Sequence, residues 1–261
     1  MADLIKVENQ RYDEYESLLL ERDQLLKEAG QMWTVYTQIF GQLIAEDYEM
    51  KLECIKRKKM IAYYQNAINH GGQVDQDAMK EYLDKEMSSY YENLKRLIDD
   101  NNRCKDAGTS TEYEVQRSKT IYRRIAKLVH PDINPATDKN EYLSELWARV
   151  VLAYGKNSIK ELTELEVLIR KALKEQGQEN VKIDIPDIED KIDALKKEIN
   201  EIKSTDPYQY KYLLDDDEAV AEKKKALEDD LKNYTAYRDQ LDQVINDLLA
   251  NGGLTITWRM N

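Results

Sequence analysis

Apolar residues recur along this chain at alternating steps of three and four. The first series runs Tyr12, Tyr15, Leu19, Arg22, Leu26, Ala29, Trp33, Tyr36, Phe40 and Leu43, one seam of a single helix with a charged residue set into it. The pattern continues to about Ile68 and meets His70-Gly71-Gly72, a C-terminal stop. A second helix from about Asp75 carries Met79, Leu83, Met87, Tyr90, Leu94 and Leu97 on one face. Residues 1–107 therefore predict an antiparallel helical hairpin.

The texture changes over residues 108–176. Thr109 or Ser110 can cap a helix whose apolar positions are Ile121, Tyr122, Ile125, Ala126, Leu128 and Val129. That helix must end near Val129, because the residue before Pro131 is pushed out of the α region. After the break, Thr137 or Asp138 can cap a helix with the stripe Leu143, Leu146, Trp147, Val150, Val151 and Tyr154. Gly155-Lys156-Asn157 stops it. Ser158 and Glu161 form a capping box for a third helix bearing Ile159, Leu162, Leu165 and Leu168.

Residues 177–261 predict a C-terminal coiled-coil hairpin with a short tail. Ile188, Ile192, Leu195, Ile199 and Ile202 step by four and three, and a longer helix carries Val220, Leu227, Leu231, Tyr234, Leu241, Ile245 and Leu248. The same heptads would also suit a homodimer. Leu254-Thr255-Ile256-Thr257-Trp258 alternates like a short strand whose pairing the pattern does not reveal. The fold class is all-α, three helical parts in sequence.

Composition narrows the function. Charged residues make up 34% of the chain and the net charge is −12, which disfavours nucleic acid and anionic membranes as partners. No apolar run is long enough to span a bilayer, and the first ten residues lack the basic and apolar regions of a signal peptide, so a cytoplasmic protein is expected. Cys54 and Cys104 stand apart and predict two buried free thiols. No phosphate-cradling glycine loop and no clustered metal ligands occur, so neither cofactor nor metal is expected and an independent enzyme is disfavoured. Lys56-Arg57-Lys58-Lys59 covers most of a helical turn rather than one face, and predicts a solvated surface rather than a nucleic-acid site. Asp215-Asp216-Asp217-Glu218 lacks the glycine and ligand alternation of a calcium loop and suits a helix N-terminus.

One stretch remains, Arg124-Ile-Ala-Lys-Leu-Val-His-Pro-Asp-Ile-Asn-Pro135. It holds one of two histidines and two of four prolines in 261 residues. The preceding helix carries Arg117, Lys119, Arg123, Arg124 and Lys127, with no acid between Arg117 and Val129. Lys119, Arg123 and Lys127 are spaced by four and form a positive ridge beside the apolar face. His130-Pro131-Asp132 and Asn134-Pro135 at the end of this basic helix, with Ala153-Tyr154 late in the next one, resemble the J-domain of DnaJ-type co-chaperones over roughly 65 residues.

The resemblance implies docking on a DnaK-type chaperone and stimulation of its ATP hydrolysis. It places Arg123, Arg124 and Lys127 with the family's basic docking residues, makes His130, Pro131, Asp132, Lys119 and Asn134 partner-binding, and has Tyr122 and Leu128 pack the second helix on the third. His130 would then be a contact residue rather than a general base, and the helical flanks would hold an unknown client. The Asp-Tyr-Tyr and Leu-Gly of the family's first helix do not occur, and residues 91–98 are the expected stand-in. Ile133 replaces the lysine that commonly follows the motif. The alternative is a structural coiled-coil scaffold whose J-like fold activates no chaperone.

Overall fold

The computed structural model describes residues 2–105, 107–108, 110–175 and 187–257, with side chains from Arg11 onward. Among these residues the fold is all-α, about 84% helical, with eight helices. In chain order they are α1 (Ala2–Asn69), α2 (Gln76–Lys105), α3 (Glu112–Val129), α4 (Glu141–Gly155), α5 (Ile159–Glu175), α6 (Ile188–Ser204), α7 (Tyr210–Leu214) and α8 (Asp217–Asn251), with strands β1 (Gln73–Asp75) and β2 (Thr255–Thr257). None of the described helices is long and apolar enough to cross a membrane.

The compact units do not follow the three stretches 1–107, 108–176 and 177–261. One unit joins Met1–Trp33 to Gly108–Lys211, and the other joins Thr34–Ala107 to Tyr212–Asn261. The helix α1 thus supplies its first half to one unit and its second half to the other. An unbroken heptad pattern shows which face of a helix is apolar and carries no mark of where one partner hands over to the next.

In the first unit, α3, α4 and α5 enclose a core of Ile121, Ile125, Val129, Leu143, Val150, Leu162, Leu165 and Ile169, to which α1 adds Leu20. The ends of these helices are set by local chemistry. Thr111, rather than Thr109 or Ser110, caps α3 and forms a reciprocal box with Glu114. Asn140, rather than Thr137 or Asp138, caps α4 by accepting from the Leu143 amide. In the expected stripe of α4, Leu143, Leu146, Val150 and Tyr154 are buried and Trp147 is partly buried, while Val151 is 48% exposed. On α5 the buried positions are Leu162, Leu165, Glu166, Ile169, Ala172 and Leu173, while Leu168 faces out.

A second cluster in this unit joins Tyr15 and Leu19 of α1, Ile192 and Leu195 of α6, and Ile133 from the turn after α3. The heptad face of α6 is therefore covered within the chain, and α6 shares a unit with the first half of α1 while α8 lies in the other. Lys196–Glu14 and Lys203–Glu21, each 2.7 Å apart, flank that α1–α6 contact.

The second unit packs Tyr64 and Ala67 of α1 against Val74, Met79, Leu83 and Ile245. Its strands pair in parallel, Val74 opposite Ile256, so the alternating tail does find a partner. Gly71 and Gly72 turn the chain into β1 with φ of 98° and 76°. Cys54 and Cys104 are free and buried, as their isolation predicts. The basic cluster in α1 is engaged inside this unit rather than merely solvated. Arg57 pairs with Glu53 and with Asp242 at 2.6 Å, Lys59 pairs with Glu86 at 2.7 Å, and Lys58 lies over the Tyr237 ring.

Candidate functional site around the His130 turn

The sequence pattern of α3 places Val129 on the core face, and the backbone leaves the helix at His130, which is extended with φ −62° and ψ 125°. Two backbone amides, of Ile133 and Asn134, then donate to the His130 carbonyl and close a tight turn. Asn134 stabilises that turn from within. Its side-chain amide donates to the Leu128 carbonyl at 3.0 Å and its side-chain oxygen accepts from the Ala136 amide at 3.1 Å. Asn134 is thus occupied with the shape of the loop. Ile133 is 0% exposed and anchors the loop among Tyr15, Leu19, Ile192 and Leu195.

His130 is only 4% exposed. Its Nδ1 accepts from the Asp132 amide at 3.1 Å, which turns Nε2 toward α1. Nε2 lies 3.4 Å from Asp23 Oδ2, and the imidazole meets Trp147 edge-on at 4.9 Å between centroids. Asp23 is the hub of the arrangement. It also accepts from the Tyr122 hydroxyl at 2.6 Å and from Arg22 at 2.9 Å. Burial works to raise the Asp23 pKa, but hydrogen bonds from His130 and Tyr122, with the charge of Arg22, hold it below the usual carboxylate range. Arg22 in turn reaches Asp132 Oδ2 at 3.2 Å and Glu198 at 3.8 Å. Asp132 is the open end of the motif, with its side chain 45% exposed, and Pro131 is half-buried.

The aromatic side of the site is layered. Tyr122 stacks on Tyr154 at 3.9 Å and 9° and lies 5.7 Å from Trp147, so α3 does pack on α4 through Tyr122, with Leu128 beside the same core. Burial pushes both tyrosine hydroxyls well above their ordinary pKa. Over the outer face of Tyr154 sits Lys27 Nζ, 3.7 Å from the ring centre. Lys27 is 8% exposed, donates to Ser118 and Asn157, and has its pKa lowered to about 8, first by burial and then by Lys119. These groups border a cleft of about 450 Å³, rimmed by Leu26, Pro131, Trp147 and Val151.

The basic residues of α3 divide into two sets. Lys127 pairs with Glu16 of α1 at 2.6 Å. Arg124 makes a two-pronged contact with Glu166 of α5, at 3.0 and 2.6 Å, and the hydrogen bonds from Arg124 and then Arg170 outweigh burial in holding the Glu166 carboxyl below its usual range. Arg117, Lys119 and Arg123 make no ion pair among the described residues, and Arg117 and Arg123 are exposed. The Lys119-Arg123-Lys127 ridge therefore exists as a line on the helix, with its last member neutralised.

The helix segment seated on α3 and on the turn is residues 12–27 of α1. Residues 91–98 lie on α2, in the other unit. Arg22, Asp23, Glu16 and Lys27 were not singled out as site residues by the sequence pattern. The one available signal was the presence of Arg22 on an otherwise apolar seam, since a charge in such a position needs a buried partner. Among the described residues no group of three or more His, Cys, Asp or Glu side chains could hold a metal ion. No protein-family model, curated protein or solved structure matches the chain.

Proposed function

We propose that the protein is a J-domain-like co-chaperone that docks on a DnaK-type chaperone in the cytoplasm, stimulates its ATP hydrolysis, and recruits it to a client held by the flanking helices. The observation that carries this reading is the His130-Pro131-Asp132 turn at the end of a basic helix that keeps Arg117, Lys119 and Arg123 free of intrachain ion pairs among the described residues. A ridge of that kind suits an acidic protein surface and supplies steering as well as affinity. The chain itself does no chemistry in this reading. It biases a partner between two states by binding one of them better.

Single-turnover ATP hydrolysis by the DnaK-type chaperone of the same organism tests the proposal. The unmodified chain is expected to raise the rate several-fold, and His130→Gln to return it to the basal value. Equal stimulation by the two proteins, or none by the unmodified chain even at saturating concentration, would sink it. A second reading, the scaffold whose J-like fold activates nothing, draws on the burial of His130 and the Arg22–Asp132 contact. The absence of stimulation even at saturating protein would favour that scaffold.

A further inference from the structure

We infer that residues 12–27 of α1 act as an autoinhibitory clamp on the His130-Pro131-Asp132 turn, an inference that rests on the co-chaperone reading. The clamp meets the turn at three chemically distinct points. Glu16 neutralises Lys127, the member of the basic ridge nearest the turn, at 2.6 Å. Arg22 holds the Asp132 carboxylate at 3.2 Å and approaches His130 Nε2 at 3.4 Å, while Asp23 faces the same nitrogen. The Tyr15 hydroxyl donates to the Asp132 carbonyl at 3.5 Å, and Tyr15 and Leu19 close over Ile133.

These contacts offer the turn the same complement that a docking partner must offer: an anion for the lysine, a cation for the aspartate and a hydrogen-bonding wall for the imidazole. A partner can claim His130 and Asp132 only after Arg22 and Asp23 have let go, so the two bindings compete. Ile133 is what makes the seat specific. A lysine after the motif would leave the loop in water, whereas the buried isoleucine draws it onto α1. The α6 helix braces the same stretch of α1 through Ile192, Leu195, Lys196 and Lys203.

If only a fraction of molecules present a free turn, the apparent affinity for the chaperone falls by that fraction. Loosening the clamp on the α1 side should therefore lower the concentration needed for half-maximal stimulation without altering any residue of the turn. The full chain carrying Glu16→Gln and Arg22→Gln is the test, with Glu16→Gln alone as a milder variant whose fold is at less risk. Amide exchange at Asp132 and Ile133 is expected to quicken in both, and half-maximal stimulation to come at a concentration at least fivefold lower in the double variant. Faster exchange with an unchanged half-maximal concentration would overturn the inhibitory role. Unchanged exchange in both variants would overturn the clamp itself. If the turn opens and neither the variants nor the unmodified chain stimulate hydrolysis, the co-chaperone reading falls, and the inhibitory role with it.

Discussion

Ile133→Ala is expected to lower the stability of the chain by about 3 kcal/mol, even though Ile133 lies in a turn. Loop positions away from special features ordinarily tolerate substitution within a few tenths of a kcal/mol. Ile133 differs because it is fully buried at the meeting point of α1, α6 and the turn. Removing three carbons leaves a cavity that Tyr15, Leu19, Ile192 and Leu195 cannot all close, since each is held by a different part of its own helix. Ile133→Val removes one carbon and should cost about 1 kcal/mol. Urea unfolding of the two variants checks the pair, and a cost for alanine no larger than that for valine would show that the site is not packed as described.

Asp23→Asn is expected to cost about 2–4 kcal/mol at neutral pH, with a pH signature of its own. The carboxylate accepts from Tyr122 and Arg22 and faces His130 inside the unit. An asparagine of the same shape turns one acceptor into a donor and leaves Arg22 partly uncompensated. The sign of the pH dependence follows from the depressed pKa of Asp23. A carboxyl with a lower pKa in the folded state adds stability that is complete above its ordinary titration range and disappears as the pH falls through the lower, folded value. The gap between Asp23→Asn and the unmodified protein should thus be full at pH 6–7 and shrink at the acid end, below about pH 4. A gap that stays constant down to pH 3 would mean that the charge of Asp23 contributes nothing.

Much of the first unit was legible in the residues. The periodicity of Ile121 to Val129 and of Leu143 to Tyr154 gave α3 and α4 with their buried faces, and the proline after His130 gave the end of α3. The exposed Val151 and Leu168 show that apolarity alone draws a stripe one residue too wide. What was hidden is the double service of α1. Tyr15 and Leu19 seal the turn and α6, while Tyr64 and Ala67 further along the same helix belong to the second unit, and the seam between them is continuous. Periodicity reports the face that will be covered and is silent about the cover.

The candidate site was half legible for a related reason. Motif and charge located His130, Pro131, Asp132 and the ridge, because those residues are adjacent in the chain or one turn apart. Their counterparts Glu16, Arg22 and Asp23 lie more than a hundred residues earlier, where only the intrusion of Arg22 into an apolar series hinted at a buried polar cluster. Ile133 looked like a departure from the J-domain pattern and proved to be the anchor of the loop. Arg124 and Asn134, grouped with the partner-binding residues by resemblance, spend their hydrogen bonds on Glu166 and on the loop backbone.

On the proposed co-chaperone reading, a DnaK-type chaperone is received by the α3 ridge and the turn that follows it. Amide exchange of the full chain, with and without the ATP-loaded chaperone, addresses this most directly. Slowed exchange over residues 112–134, fading as salt screens the ridge, is the predicted result. Protection confined to α2 or α8, or no protection at any chaperone concentration, would contradict it.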